Sequence, residues 1–312
     1  MTVNPKVSII MATYNRSHFI RETLLSIQCQ TFLDWECIII DDGGTDNTLE
    51  VISPILEEDK RFRFIRRADS YLKGLPGCRN CGIDLAKGEY VIFFDDDDIA
   101  HPQNLELCVL ELSRHDVAFC RYIREVFTGD FVYNFDYSKD YNFFRIGIND
   151  LEAMLKNELP FNSCAVMWKR ECFAANRFTE HLMYAEEWEL YSRIIALGYN
   201  GISIGKSLFY GRKHSNSNTG EYYNDNPIRK KSYADAIVLV VENLNEKDLL
   251  SYGIIRYFIT MAIGFKEYDL FNILLKNLGL SKIGQLKWKL FYAILPIRLA
   301  LYKINKSIKL NR

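Results

Sequence analysis

The feature that most constrains the fold is a series of short, wholly apolar runs separated by segments with helical periodicity. The clearest runs are Val7–Met11, Cys37–Ile40 and Tyr90–Phe94, and Arg63–Ile65 is a weaker one. Strands that are apolar throughout are typical of a sheet whose two faces are both covered by helices. The sequence therefore predicts an α/β fold with a mostly parallel central sheet flanked by helices.

Polar residues directly follow three of these runs. Thr13-Tyr14-Asn15-Arg16 comes after the first run, Asp41-Asp42 after the second, and Asp95-Asp96-Asp97-Asp98 after the last. In open α/β sheets, ligands bind in the crevice outside the carboxyl ends of the strands. The sequence therefore predicts that these three clusters meet at one site.

Four consecutive aspartates are unfavourable without a partner, because adjacent unpaired carboxylates repel one another and raise one another's pKa. A divalent cation removes that cost, and carboxylate oxygens suit Mn²⁺ or Mg²⁺. The alternative is a solvated acidic loop that holds no ligand. The position of the run at the carboxyl end of a strand favours the metal site.

Asp42 and Arg79 are further candidates, and each has a plainer alternative. Asp42 could accept hydrogen bonds from a base or a ribose, or it could simply end its strand in the tight turn that Gly43-Gly44 permits. Arg79 lies near the start of a predicted helix, Pro76–Ala86. There it could reach a pyrophosphate, order the aspartate loops, or be a surface cation.

Two candidates lie in the second half of the chain. Glu186-Glu187-Trp188-Glu189 opens a predicted helix, where carboxylates either complement the helix dipole or include a general base. His214 lies in a segment, 205–226, that is predicted to be a polar loop. It is either a neutral-imidazole metal ligand or a surface residue.

In the first half, Ser17 is the predicted N-cap of the first helix.

Charge is distributed unevenly, although the formal net charge is only −1. Residues 270–312 contain nine Lys or Arg and no acidic residue. A basic tail on an acidic body predicts a negatively charged partner, either a membrane surface or nucleic acid. The eight cysteines, with an isolated Cys78-x-x-Cys81 and no apolar leader, predict reduced, buried thiols in a cytoplasmic protein.

In their order along the chain, these motifs resemble glycosyltransferase family 2, which has the GT-A fold. The resemblance covers about residues 5–220, and the ordered series is far more specific than any single motif. The matching stretches are Val7–Arg16, Ile40–Asp46, Arg79–Ile83, Gly88–Tyr90 with the aspartates that follow, Ala185–Leu190 and Arg212–Ser215.

The resemblance implies a metal-dependent, inverting glycosyltransferase that uses a nucleotide-sugar donor, a UDP-hexose. It places Mn²⁺ or Mg²⁺ on Asp97, His214 where relatives hold metal or pyrophosphate, and the catalytic base at Glu187. Within the donor site, Tyr14 is expected to pack near the uracil and Asp42 to hydrogen-bond it. The residues that the resemblance assigns to the nucleotide are Thr13, Tyr14, Asn15, Arg16, Asp42, Arg79, Asp95 and Asp96.

Departures from the family pattern keep alternatives open. The family usually has Asp where this chain has Glu187, so Glu186 is a rival base, and Asp98 is either a ligand or the N-cap of a helix before Pro102. A sugar-phosphate nucleotidyltransferase would carry a Gly-rich phosphate loop where this chain has Thr13–Arg16. A non-catalytic nucleotide-sugar-binding relative is the other alternative. A nucleic-acid partner is not expected, because it would leave the aspartates unexplained.

The resemblance also divides the chain. Residues 1–226 are the expected catalytic domain, with the nucleotide-sugar site in 1–120 and the acceptor and catalytic part in 121–226. Within the latter, the aromatic-rich segment 127–144 forms either a lid or an acceptor loop. A helical region, 227–312, follows.

Residues 281–312 form a predicted basic, amphipathic tail. On a wheel of 100° per residue, one face is apolar over about 80° of arc and Lys or Arg occupy the opposite face. The apolar positions are Leu286, Leu290, Ile294, Ile297, Leu301, Ile304 and Ile308. This face either enters the headgroup region of an anionic cytoplasmic leaflet or packs on the catalytic domain, and the all-basic opposite face favours the membrane. A peripheral location on the inner membrane face would suit a lipid-linked acceptor in the synthesis of O-antigen or capsule.

Overall fold

The computed structural model describes residues 4–214, 218–265, 268–294 and 296–297. The chain separates into two compact units, Met1–Ala236 and Ile237–Arg312. The strands, in chain order, are β1 (Val7–Thr13), β2 (Trp35–Asp41), β3 (Phe62–Arg66), β4 (Tyr90–Asp95), β5 (Ile99–Ala100), β6 (Phe119–Phe127), β7 (Phe143–Ile146), β8 (Val166–Lys169) and β9 (Gly201–Arg212). The helices are α1 (Ile20–Gln28), α2 (Thr48–Glu58), α3 (Leu75–Leu85), α4 (Asn104–His115), α5 (Leu151–Leu155), α6 (Glu186–Ala196), α7 (Asn218–Tyr223), α8 (Pro227–Glu246), α9 (Tyr252–Phe265), α10 (Tyr268–Asn277) and α11 (Lys282–Ala293).

The described strands form one nine-stranded sheet in the order β3-β2-β1-β4-β8-β6-β9-β5, with β7 also paired to β9. Neighbours among β3, β2, β1 and β4 run parallel. Strand β8 is antiparallel to both β4 and β6, β5 and β7 are antiparallel to β9, and β6 is parallel to β9. The predicted α/β fold is confirmed, and its parallel character belongs to the first four strands, while the rest of the sheet is mixed.

The parallel strands lie in the sheet interior because their side chains are apolar on both faces. Ile9, Ile39 and Ile92, one from each of three neighbouring strands, are 0% exposed. Burying one such side chain stabilises the fold by about 1.5–3 kcal/mol. Helix α3 lies so close to β1 that a Cβ atom at Gly82 would come within 2.3 Å of Cγ2 of Ile10. This close approach packs the last turns of α3 against the middle of β1.

Several local predictions are settled by these elements. Cys78 and Cys81 are buried free thiols, as predicted. Ser17 is not a helix cap, because α1 begins at Ile20 after Phe19, and the Ser17 amide instead donates to Asp46 over 3.1 Å. The predicted polar loop over 205–226 is also wrong in its first part, which continues β9 and pairs with β6 and β5.

The second unit is helical where the structure describes it. Helices α9 and α10 each contribute buried apolar side chains, among them Phe258 and Leu274, both 0% exposed. Helix α11 ends at Ala293, and Pro296 and Ile297 are again helical. No helix among the described residues is long and apolar enough to cross a membrane.

Half of the predicted tail can be compared with the structure. Four positions of the predicted apolar face are exposed, namely Leu286, Leu290, Ile294 and Ile297. Ile283, one turn earlier, is 82% exposed and extends the same face. The remaining predicted positions, Leu301, Ile304 and Ile308, lie outside the described residues.

Candidate functional site

The ends of β1, β2 and β4 lie side by side in the sheet. Thr13 is in register with Asp41, and Ala12 is in register with Asp95. The three polar clusters that follow these strands therefore begin at one edge, as the sequence predicts. The rest of the site is built on this edge.

The loop after β1 is connected to the loop after β2. Asn15 adopts a left-handed conformation (φ 54°), and its Oδ1 accepts hydrogen bonds from the amides of Thr45 (2.8 Å) and Asp46 (3.2 Å). Tyr14 is 45% exposed, and the Lys73 ammonium lies 4.6 Å from its ring centroid. An open aromatic face is thus fixed at the rim of the crevice.

Asp42 is held in place by two contacts. Its amide donates to the Thr13 carbonyl over 2.9 Å, and its Oδ1 accepts from Nε of Arg67 over 2.7 Å. Gly43 follows with φ 91°, a conformation in which a Cβ atom would be strained. The predicted tight turn after Asp42 is therefore present.

The first two aspartates of the run have different environments. Asp95 lies 3.3 Å from the guanidinium of Arg79, and its side chain is partly exposed. Asp96 is buried, and burial together with the charge of Asp97 raises its pKa to about 8. The Thr13 hydroxyl and Arg16, whose Nε lies 3.6 Å from Asp96, oppose that rise. Two carboxylates adjacent in sequence thus differ in burial and in their charged partners.

The last two aspartates also differ. Asp97 Oδ2 lies 2.9 Å from Nε2 of His214 and 3.9 Å from a guanidinium nitrogen of Arg16. Asp98 is buried. Its carboxylate forms an ion pair with the Arg124 guanidinium at 3.0 Å and accepts a hydrogen bond from the Arg212 amide at 2.7 Å. The suggested role of Asp98 as an N-cap is wrong, because α4 begins at Asn104 after Gln103.

The donor chemistry decides which of these groups fit a metal ion. Asp97 and His214 offer a carboxylate oxygen and an imidazole nitrogen from two elements, a pair that suits Mn²⁺ and accommodates Mg²⁺. A second set, Asp95, Asp98 and Cys164, has ligand atoms within 4.8 Å of one another. Burial raises the pKa of the Cys164 thiol, and Asp98 is already paired with Arg124. The residues present therefore fit a divalent cation best at Asp97 and His214.

Arg79 connects the aspartates to helix α6. Its guanidinium lies 3.2 Å from Glu186, 3.3 Å from Asp95 and 2.9 Å from the Ser163 hydroxyl, and only 3% of its side chain is exposed. Burial acts to lower the pKa of Arg79, but the charges of Asp95, Glu186 and Glu187 outweigh it and raise that pKa above its ordinary value. The predicted base position and the aspartate run consequently belong to one electrostatic unit.

The two glutamates that open α6 are not equivalent. Glu186 is buried, and burial together with Glu187 raises its pKa to about 8, against the lowering effect of Arg79. Glu187 is half-buried. Ala185, directly before them, has a left-handed conformation (φ 64°), which costs free energy for a residue with a Cβ atom. The chain is thus turned sharply where these carboxylates enter the crevice.

The structure brings the predicted residues together at one edge, with the nucleotide candidates on the β1, β2 and β4 loops and Glu187 across Arg79. Three cations were not predicted as site residues: Arg67, which holds Asp42, Arg124, which holds Asp98, and Arg212. Arg212 Nε donates to the Asp97 carbonyl over 3.0 Å. Arg212 lies in the stretch that carries His214, which is the one sequence signal that points to it.

Comparisons with known proteins agree on one family. The family model described as "Glycosyl transferase family 2" matches residues 8–173. An uncharacterized glycosyltransferase of Haemophilus influenzae is 29% identical over 266 residues, which cover 79% of this chain and 80% of that protein. The Escherichia coli UDP-Glc:alpha-D-GlcNAc-diphosphoundecaprenol beta-1,3-glucosyltransferase WfgD is 34% identical over 114 residues, 36% of this chain and 43% of its own.

A solved structure shares the fold. The crystal structure of S. aureus TarS 1-349 in complex with UDP-GlcNAc superposes with a TM-score of 0.68 at 18% identity, covering 88% of this chain and 81% of that one. At this identity the likeness concerns the fold alone. It agrees with the mixed sheet and flanking helices described above.

Proposed function

The chain belongs to glycosyl transferase family 2, and on that basis we propose that this glycosyltransferase moves a hexose from a UDP-sugar to a hydroxyl group of a lipid-linked glycan. The observation that carries the proposal is the position of Arg79 between Asp95 and Glu186. Through this contact, carboxylates suited to a metal and its diphosphate lie in the same crevice as a carboxylate suited to proton transfer.

The donor site is proposed at the ends of β1, β2 and β4. The exposed ring of Tyr14 offers a stacking face for the base, and the fixed carboxylate of Asp42 offers a hydrogen-bond acceptor. Thr13, Asn15 and Arg16 order the same loop, and Asp95 and Asp96 lie next to it. The UDP-GlcNAc named for the TarS complex supports uracil as the base of the donor nucleotide.

Asp97 and His214 would hold the divalent cation, Mn²⁺ or Mg²⁺. When bound, such an ion stabilises the negative charge of a diphosphate leaving group. The chain's own Arg16, 3.9 Å from Asp97, adds a positive charge on the same side of the crevice. Because this charge is preorganised, it favours the transition state without reorganisation at the moment of reaction.

Glu187 is the proposed base. Glu186 is buried and lies 3.2 Å from Arg79, so it is suited to holding Arg79 in place. Glu187 follows at the start of α6 and is half-buried, and its charge raises the pKa of the same Arg79. It would take the proton from the acceptor hydroxyl while that oxygen attacks the anomeric carbon opposite the UDP. The product would have the inverted configuration.

Two observations support a lipid-linked acceptor in surface polysaccharide synthesis. The name of the E. coli relative WfgD specifies a diphosphoundecaprenol acceptor. In this chain, α11 presents exposed Ile283, Leu286 and Leu290 beside Lys287 and Lys289. A helix with one apolar and one basic face suits the surface of an anionic leaflet. We place the protein peripherally on the cytoplasmic face of the membrane.

The donor and the metal can be tested together. Purified protein is offered UDP-, GDP- and dTDP-sugars in Mn²⁺ or EDTA, and nucleoside diphosphate release is measured. We expect release from a UDP-sugar in Mn²⁺ and its loss in EDTA. Formation of UTP and sugar 1-phosphate from UDP-sugar and added pyrophosphate would indicate a nucleotidyltransferase instead. Nucleoside diphosphate release that persists in EDTA would contradict the metal site.

The base is tested by Glu187→Gln. Removing a general base is expected to lower kcat by about 10²–10⁴-fold while UDP affinity, measured by calorimetry, stays within about 3-fold of wild type. Glu171→Gln, an exposed residue outside the crevice, is the matched control. Full activity of Glu187→Gln would overturn this assignment. A wild-type protein that binds UDP-sugars without turning them over would favour a non-catalytic relative.

A further inference from the structure

The segment between β6 and β7 carries an aromatic residue at every second position. These residues, Phe131, Tyr133, Phe135 and Tyr137, are called here the aromatic platform. In extended chain, alternate side chains share one side. Consecutive ring centroids are accordingly 5.1, 6.2 and 6.3 Å apart along the series.

We propose that the aromatic platform binds the sugar rings of the acceptor glycan. The inference rests on the proposed function and names the part of the substrate that this surface recognises. Pyranose rings present faces of C–H groups that pack on the negative faces of aromatic rings. Tyrosine adds a hydroxyl group that hydrogen-bonds at the wet edge of such a contact.

Two residues of the platform pack on the protein, and the other two are open to solvent. Phe131 and Phe135 are half-buried and pack on Tyr210 at 5.0 and 5.8 Å. Tyr133 and Tyr137 are 58% and 56% exposed. A cluster of exposed aromatic side chains, unlike a single exposed apolar residue, marks a surface that binds a partner or a ligand.

The platform is fixed in place rather than hinged. The buried Lys206 ammonium pairs with Asp136 over 2.7 Å, and Nε2 of His101 lies 3.1 Å from the Asp136 carbonyl. Further along, the Tyr141 hydroxyl donates to Glu111 over 2.9 Å. A lid that opens and closes has few such contacts. Of the two roles that the sequence left open for 127–144, these contacts favour the acceptor loop.

The platform leads to the proposed metal ligand. The Tyr133 hydroxyl donates to Glu22 over 2.7 Å, and Glu22 also pairs with Arg212. Arg212 in turn donates to the carbonyl oxygens of Asp97 (3.0 Å) and Gly129 (3.0 Å). A glycan lying on Tyr137 and Tyr133 would thus extend toward the crevice where its terminal hydroxyl reacts.

The occupant is expected to be a glycan rather than a lipid chain. Between the aromatic residues, Asn134 and Asp136 are exposed and polar, and Asp130 precedes them. Asp136 is already paired with Lys206, but an acyl chain would leave Asn134 and Asp130 against hydrocarbon, which costs free energy. Sugar hydroxyl groups can hydrogen-bond with all of them.

The test measures binding of the full-length protein to an array of soluble mono- to tetrasaccharides. We expect wild type to bind a subset, more tightly as the glycan lengthens, and Tyr133→Ala/Tyr137→Ala to lose at least about 10-fold in affinity. Tyr133→Phe/Tyr137→Phe keeps both rings and is expected to stay within about 3-fold of wild type. Tyr252→Ala, which removes an exposed tyrosine of the second unit, is the matched control.

Several outcomes would overturn the inference. These are absence of glycan binding by wild type, equal binding by the alanine pair, and equal losses in the alanine and phenylalanine pairs. A change of oligomeric state in the alanine pair, seen by light scattering, would identify the surface as a contact between copies instead. UDP affinity of wild type separates the two proposals. If wild type binds UDP and the alanine pair binds glycans as tightly as wild type, the inference about the aromatic platform fails and the proposed function stands.

Discussion

The guanidinium of Arg79 lies between carboxylates that are far apart in the sequence. Asp95 ends β4 and Glu186 opens α6, yet both are within 3.3 Å of the same side chain. Arg79 is almost fully buried, so solvent screens its charge little and both carboxylates interact with it strongly. Arg79 therefore holds the end of β4, on the donor side of the crevice, close to the start of α6, which carries the proposed base.

Glu186 gives this charge cluster a pH dependence. Its pKa is raised from 4.5 to about 8, so between these values the folded protein holds a proton that the unfolded chain releases. The associated stability is fully present below pH 4.5 and is lost as the pH rises through 8. We expect the Tm of wild type to fall by at least about 2 °C from about pH 6 to pH 8.5, since 1 kcal/mol corresponds to about 2–4 °C in a domain of this size.

Glu186→Gln tests this assignment by differential scanning fluorimetry across the same pH range. The neutral amide removes the titration, so the variant is expected to show a smaller fall in Tm than wild type. Glu171→Gln, exposed and remote from Arg79, is expected to follow wild type. A Glu186→Gln curve parallel to that of wild type would show that this carboxyl does not change ionisation on folding.

The sequence predicts the anionic groups of the site better than their partners. Asp42, Asp97 and their neighbours follow apolar strands, and a local rule places strand ends at one edge. Arg67 and Arg124 pair with aspartates 25 and 26 residues away, and nothing near them in sequence marks those pairings. Such contacts depend on how separate strands pack, which periodicity does not specify.

At the scale of elements, the site depends on how closely α3 approaches β1. A Cβ atom at Gly82 would lie 2.3 Å from Cγ2 of Ile10, closer than real side-chain contacts. We expect Gly82→Ala to destabilise the protein by about 1–3 kcal/mol, measured by urea unfolding. Turnover is expected to fall as well, because the same helix carries Arg79.

A double-mutant cycle isolates this contact. Ile10→Ala removes the clashing methyl group, so Ile10→Ala/Gly82→Ala is expected to be less destabilised than the sum of the single variants. Gly264→Ala is the matched control, since a Cβ there meets nothing within 4 Å and alanine is the better helix former. Additive effects of the two substitutions would show that Gly82 is not required for close packing.

Helices and strands were predictable where the residue pattern was compatible with only one kind of secondary structure. The apolar runs of β1, β2 and β4 and the amphipathic start of α6 fall close to the predicted segments. Residues 205–212 read as a polar loop but form part of β9, with Leu208 and Phe209 buried. Its pairing with β5 and β6, both distant in sequence, overrides its composition.

At the scale of the molecule, charge separates along the chain. Nine Lys or Arg and no acidic residue occupy 270–312, so the residues before them carry the excess of negative charge. In α11 the apolar positions Leu286 and Leu290 are 57% and 58% exposed. Exposed apolar and basic groups on one helix are what a membrane surface attracts, and neither alone would be sufficient for stable attachment.

We therefore expect both faces of α11 to contribute to binding of anionic vesicles, measured by co-sedimentation with phosphatidylglycerol-containing liposomes. Lys287→Gln/Lys289→Gln removes two charges, each worth about 1 kcal/mol near such a surface, and is expected to weaken binding about 10- to 30-fold. Leu286→Ser/Leu290→Ser keeps the charge and removes apolar contact area, and a similar loss is expected.

The two variants differ in their response to salt and lipid, and this difference identifies the mechanism. Raising the ionic strength screens the lysines, so it is expected to weaken wild type and the serine pair more than the glutamine pair, which keeps seven of the nine basic residues of 270–312. Neutral phosphatidylcholine vesicles should bind wild type more weakly than anionic vesicles do, because they lack the negative charge that attracts the basic residues. If both variants bind anionic vesicles like wild type while the serine pair has a lower Tm, the apolar face of α11 packs on protein and the membrane assignment is wrong.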